Sequence, residues 1–199
     1  MNPRIIIAAL KGGSGKTILS LGLAAAWRDM GHRVAPFKKG PDFIDAGWLS
    51  LATGAKCYNL DPFLMNEAQI LNSFLKHSEG TQISIIEGNR GLYDGLDLDG
   101  CCSTAELAKL LKAPVLIVLD VTMTTRTMAA IVQGCQVFDP DLNIAGVILN
   151  RVAGPRQKKL ITDAIIKYCG IPVLGSVPKL KEHPFPERHM GLVPHQESG

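Results

Sequence analysis

Several large classes of protein are excluded by what this sequence lacks. No apolar run approaches the roughly 20 residues needed to span a bilayer. No run of Lys or Arg exceeds two residues, and the formal net charge is only +3, so there is no basic patch for nucleic acid or for an anionic membrane surface. The five cysteines are odd in number and lack CxxC spacing. That argues against a disulfide framework and a zinc site, and fits a reducing compartment. The vicinal pair Cys101-Cys102 lies in a Gly/Asp-rich stretch and reads as small residues in a turn. The first apolar run is too short for a signal peptide, so a cytoplasmic location is expected. Aromatics are scarce, at 6% against 46% hydrophobic residues overall. The apolar residues present are mainly small or β-branched, the kind that buried parallel strands use. A length of 199 residues suits one domain, or one and a small appendage.

Those apolar runs alternate with helical patterns. Strands are predicted at 4–9, 33–37, 82–87, 114–120, 143–150 and 172–177, and helices at 16–30, 67–77, 103–112, 124–137 and 156–169. Gly31, Pro114 and Gly170 supply recognisable stops. Strands that alternate with helices indicate an α/β fold: a mainly parallel twisted sheet with helices on both faces and right-handed crossovers. In such sheets ligands bind outside the carboxyl ends of the strands, so the residues just after each strand should carry the chemistry.

The first strand end is the most informative. Lys11-Gly12-Gly13-Ser14-Gly15-Lys16-Thr17 joins a strand to a helix, the context that makes a phosphate-binding loop credible. Its glycines let backbone N–H groups curl around phosphate oxygens, and the helix N-terminus adds partial positive charge. Lys16 is expected at the β- and γ-phosphates and Thr17 on Mg²⁺. Leu10 stands where the usual pattern has glycine, and Lys11 precedes the double glycine. After the second strand, Lys38, Lys39, Asp42 and Asp45 offer charges for an anion and for Mg²⁺; an ordinary Gly-Pro-Asp turn is the alternative. The third strand ends on Glu87, where P-loop enzymes hold the carboxylate that positions the metal. Gly88, Gly91 and Gly95 follow, with Arg90 and a second acid, Asp94. After the fourth strand comes Asp120, for which helix capping competes equally. After the fifth come Asn150 and Arg151, where an amide can meet adenine. His189 is a weak candidate beside the sixth strand, set against a packing or tail contact.

Four segments then fall in order: 39–45 (KGPDFID), 59–62 (NLDP), 87–95 (EGNRGLYDG) and 186–192 (PERHMGL). Together with Asn150-Arg151 they resemble the ATP-binding domain of cobyrinic acid a,c-diamide synthases over nearly the whole chain. Dethiobiotin synthetase is a more distant look-alike of the same P-loop NTPase-like architecture. The resemblance implies ATP-dependent amidation of side-chain carboxylates on a tetrapyrrole, through an acyl phosphate that ammonia displaces. It implies Lys16, Asp45, Glu87 and Asp94 as catalytic residues. Lys11, Gly12, Gly13, Ser14, Gly15, Lys16, Thr17, Lys38, Lys39, Asn150 and Arg151 would bind nucleotide. Thr17, Asp42, Asp45 and Glu87 would hold Mg²⁺, and Arg90 would meet a substrate carboxylate.

The same resemblance implies an ATP-binding amidoligase domain over 1–192, with 193–199 a tail or the start of a linker. The family's glutaminase domain and its cysteine nucleophile are not seen, since none of the five cysteines stands in a nucleophile elbow. A fragment is expected, with ammonia supplied by the missing domain or by a separate subunit. Lys11 looks like the lysine of partition and division-site ATPases, which reaches across a dimer, so a homodimer is a further expectation. Two alternatives stay open: the same chemistry on a sirohydrochlorin-type macrocycle, and a dimerising ATPase switch.

Overall fold

The computed structural model describes residues 3–180 and, for their backbone only, 187–188 and 191–192. Seven strands form one sheet: β1 (Arg4–Ala9), β2 (Val34–Lys39), β3 (Tyr58–Leu60), β4 (Ile83–Glu87), β5 (Val115–Asp120), β6 (Ile144–Val152) and β7 (Val173–Pro178). Their order is β3-β2-β4-β1-β5-β6-β7, and every pair is parallel. The helices are α1 (Lys16–Asp29), α2 (Ile44–Thr53), α3 (Glu67–Ser78), α4 (Thr104–Leu110), α5 (Thr127–Phe138) and α6 (Pro155–Cys169). Beyond them, β8 (Glu187–Arg188) and β9 (Gly191–Leu192) pair antiparallel. His189 lies outside the described residues.

Alternation along each strand divides the core in two. On β1, Ile6 and Ala8 join a large cluster that also takes Phe74 of α3, Leu107 of α4, Val132 of α5 and Ile161 of α6. Ile7 and Ala9 face the other way, toward Ala24, Leu23 and Trp27 of α1. Helix α2 packs beside α1 through Leu21, Ala46 and Leu49. Thus α1 and α2 cover one face and α3 to α6 the other, as the sequence predicts for a doubly covered sheet.

Helix α2, strand β3 and the short pair β8 and β9 escaped the sequence reading. Helix α2 sits where a loop is expected, and β3 is a three-residue edge strand. Strand β2 also runs two residues further than predicted, so Lys38 and Lys39 are its last residues rather than the loop after it. Likewise Asn150 and Arg151 lie inside β6. Helix α5 begins at Thr127, later than the predicted 124. The cysteines are unbridged, and Cys101-Cys102 stands in a turn whose Cys101 N–H donates to Asp97 Oδ1 at 2.9 Å.

Candidate functional site

A cleft of about 630 Å³ opens at the carboxyl ends of the strands, lined by Gly12, Gly13, Lys16 and Thr17 on one side and by Lys38, Asp45 and Glu87 on another. Gly15 caps α1 at φ 92°, with no side chain bonded to the helix's first N–H groups. Those N–H groups and the helix dipole therefore remain for an anion. A Cβ at Gly15 would run into the Asn150 amide. That amide donates to the Ser14 carbonyl at 2.9 Å and accepts from the Arg151 N–H at 2.9 Å. Asn150 thus clamps the loop, keeping one N–H and one acceptor lone pair for a ligand. Lys16 Nζ donates to the Arg90 carbonyl at 2.8 Å and, more weakly, to the Lys11 carbonyl at 3.4 Å. Burial pulls the Lys16 ammonium below its ordinary pKa, against the attraction of Glu87. An anionic ligand would restore what burial takes away. The Lys11 side chain is exposed.

Beside the loop lies a compact knot of charge. Lys38 Nζ donates to Asp45 Oδ2 at 2.7 Å, Glu87 Oε1 at 3.0 Å and the Gly88 carbonyl at 3.3 Å. The Thr17 hydroxyl donates to Glu87 Oε1 at 2.7 Å and lies 3.4 Å from Asp45 Oδ2. Register explains the assembly, because Glu87 is paired with Ile7 on one side and Lys38 on the other. Glu87 is wholly buried and its Oε2 has no partner. Burial, partly opposed by Lys38, raises its pKa. For Lys38 burial works to lower the pKa, but the charges of Glu87 and Asp45 outweigh it and the net shift is upward. Asp42 precedes α2; its Oδ1 accepts from the N–H groups of Ile44 and Asp45, and its Oδ2 is 3.8 Å from Lys38.

Among the described residues no group of three or more His, Cys, Asp or Glu side chains is arranged to hold a metal ion. The orphaned Glu87 oxygen, Asp45 and the Thr17 hydroxyl do fit Mg²⁺. That ion is usually held by one or two carboxylates and completed by substrate phosphates and water.

The structure separates other candidates. Lys39 does not line this cleft, and Asp94 is exposed, its Oδ2 accepting from the Gly91 N–H at 2.8 Å. Arg90 lines the cleft in a left-handed conformation (φ 49°). Thr122, Pro178, Lys179 and Leu180 line it as well, and no local motif marks them. Asp120 caps no helix; it accepts from the Thr122 N–H and hydroxyl and pairs with Arg151 at 2.6 Å. Burial opposes, but the Thr122 and Arg151 contacts win and hold the Asp120 carboxyl below the ordinary 3.8. A depressed carboxylate pKa contributes stability that is present above the unfolded value and lost as pH falls through the folded one. Urea unfolding of Asp120→Asn is therefore expected to show a deficit of about 1 kcal/mol at neutral pH that closes below roughly pH 4. A deficit unchanged at pH 3 would refute the pairing.

A central parallel strand, a glycine loop at its carboxyl end and an uncapped helix define a P-loop nucleotide-binding domain. The sequence model of the CbiA family, described as the CobQ/CobB/MinD/ParA nucleotide binding domain, matches residues 5–193, and the chain belongs to that family. It is 49% identical over 195 residues to the cobyrinate a,c-diamide synthase of Magnetococcus marinus, covering 98% of this chain and 42% of that protein. It is 47% identical to the enzyme of the same name from Listeria monocytogenes serotype 4b (98% and 43% covered). It is 44% identical to the hydrogenobyrinate a,c-diamide synthase of Streptomyces coelicolor (99% and 40%). The chain thus spans about two fifths of the length of these relatives. Its fold is similar to chloroplast FtsY from Physcomitrella patens (TM-score 0.61, 20% identity, 87% of this chain and 57% of that one). It is also similar to FtsY from Thermotoga maritima (TM-score 0.57, 20% identity, 90% and 63%). At that identity the likeness concerns the fold alone.

Proposed function

We propose that this chain is the ATP-binding amidoligase part, residues 1–192, of an enzyme that amidates the a and c carboxylates of cobyrinate. The observation that carries the reading is the buried Glu87, tied to Thr17 and Lys38 beside the phosphate loop, in a chain 49% identical to a cobyrinate a,c-diamide synthase. In this reading the loop N–H groups and Lys16 hold the β- and γ-phosphates, and Asn150 and Arg151 border the base. Thr17, Asp45 and Glu87 would hold Mg²⁺, with Asp42 adding its charge nearby through the Oδ2 that also pairs with Lys38; when bound the ion would offset charge on the phosphates. A carboxylate oxygen of the macrocycle attacks the γ-phosphorus and ADP leaves, giving an acyl phosphate. Lys16 stabilises the charge that builds on the transferred group. Ammonia then attacks the acyl carbon, a proton leaves the nitrogen, and phosphate departs with the former carboxylate oxygen. Asp94 belongs to the same proposal as the acid that holds the 91–94 turn behind Lys16. Ammonia comes from a glutaminase domain within the unmatched part of the relatives' length or from a separate subunit.

Hydrogenobyrinate is the second acceptor reading, favoured by the Streptomyces relative. The exposed Lys11 supports a homodimer in which it reaches a partner's nucleotide; a monomer with full turnover in sedimentation would exclude this. A cytoplasmic location fits the unbridged cysteines, and among the described residues no helix is long and apolar enough to cross a membrane.

The test is ATP turnover with ammonium chloride as nitrogen donor, in the presence of cobyrinic acid, hydrogenobyrinic acid or sirohydrochlorin. A loss of about one mass unit per carboxylate converted, matched by phosphate release, supports the reading and names the macrocycle. ATP hydrolysis indifferent to all three would sink it in favour of an ATPase switch.

A further inference from the structure

Lys38 and Lys39 are neighbours in sequence with opposite fates. Alternation along β2 sends them to opposite faces of the sheet. Each ammonium has three protons to donate. Lys38 spends all three, on Asp45, Glu87 and Gly88. Lys39 is only 7% exposed, yet among the described residues it makes no side-chain hydrogen bond and no ion pair. The acid whose charge most opposes that burial, Asp61, is itself buried and accepts from the Phe63 N–H at 2.9 Å. A buried cation without a partner is costly unless an anion arrives to complete it.

The surroundings indicate which anion. The positive charge of Arg90 is felt at Lys39. The carbonyl of that same Arg90 receives the Lys16 ammonium, which ties this position to the γ-phosphate end of the nucleotide cleft. The turn that follows Leu60, the register partner of Lys39, and the loop that leads into Cys102 carry exposed apolar side chains. Phe63 and Leu64, 71% and 68% exposed, stand on the turn built by Asp61. Leu96 and Leu98, 62% and 105% exposed, stand on the loop that closes where the Leu96 N–H meets the Cys101 carbonyl. Cys102 is the next residue, and Lys39 lies within its electrostatic reach. A cation at depth with an apolar rim suits a broad apolar body that bears carboxylate arms.

We propose that Lys39, which lies outside the phosphate cleft, forms with Arg90 on the cleft's border an adjoining anion subsite that anchors a carboxylate of the acceptor other than the one being phosphorylated. The proposal rests on the tetrapyrrole reading above. Burial pulls the Lys39 ammonium below its ordinary pKa, the state that a bound carboxylate would reverse.

The test uses the full-length protein, wild type and Lys39→Met, with equilibrium binding of cobyrinic acid and of ATP measured separately. The expected result is a roughly tenfold or greater rise in the Kd for cobyrinic acid, the worth of a lost charge-assisted contact, with the Kd for ATP within about twofold. A second measurement needs no mutation: saturating cobyrinic acid is expected to slow acylation of Lys39 by an amine-reactive ester by about fivefold or more, and ATP alone is not. Wild-type protein that binds no cobyrinic acid would overturn the functional reading and this subsite with it. Binding by wild type with equal affinity in Lys39→Met, or acylation of Lys39 unaffected by cobyrinic acid, would overturn the subsite alone. Protection by ATP alone would return Lys39 to the nucleotide.

Discussion

Replacing Lys38 by methionine is expected to lower the unfolding free energy by about 3–5 kcal/mol at neutral pH and to abolish the proposed phosphoryl transfer. The stem of the side chain is preserved, so the loss is the ammonium alone. That ammonium is the chief counter-charge of three acids: Glu87 with no exposed side-chain surface, Asp45 at 16% and Asp42 at 35%. Without it Glu87 keeps only the Thr17 hydroxyl, and its carboxylate must either take up a proton or remain charged in the interior. The magnitude reflects leaving buried partners stranded more than the worth of the bonds themselves. Lys38→Met combined with Glu87→Gln should consequently cost less than the two changes summed, by about 1–3 kcal/mol. Urea unfolding of wild type, both single variants and the double variant measures that coupling. A Lys38→Met protein within about 1 kcal/mol of wild type would mean that the ammonium is no more than a spectator.

Glu87→Gln makes the complementary experiment, because it retains shape and removes charge. The amide oxygen can still accept from Thr17 and Lys38, so the fold should hold. What disappears is the negative charge behind the unpartnered Oε2 of a side chain that lines the cleft. In the proposed reaction, turnover with the tetrapyrrole acceptor is expected to fall about 10²–10³-fold, the range typical for loss of one preorganised electrostatic contact, while ATP affinity changes by only a few-fold. Single-turnover phosphate release across a Mg²⁺ titration separates the two effects. Undiminished release at ordinary Mg²⁺ would remove Glu87 from the machinery and leave it as the structural partner of Lys38.

The two lysines of β2 also show how one sequence pattern can hide two roles. Read along the chain they form a single basic pair after a strand. Inside the sheet they diverge, since one more residue of extended backbone turns a side chain through to the other face. Asn150 is comparable: its place near a strand end was legible, but its grip on Ser14 joins residues far apart in sequence.

What the sequence determined by itself was whatever depends on local chemistry. The bounds of β1, the glycine loop with Lys16 and Thr17, the alternation that builds a parallel sheet, and the acid that ends β4 all follow from residue type and period. Helix α2 was hidden because its ten residues, IDAGWLSLAT, are apolar around most of the circumference and contain a glycine. Packing against α1 holds them as a helix, with Asp42 accepting from its first N–H groups and Gly54 closing its end. The three-residue strand β3 is too short to show a period, and exists because β2 offers it an edge. The tertiary structure alone decided that Lys38 is saturated and Lys39 is not. Hydrogen bonds between distant strands and loops depend on register, and register is settled when hydrophobic faces are buried together.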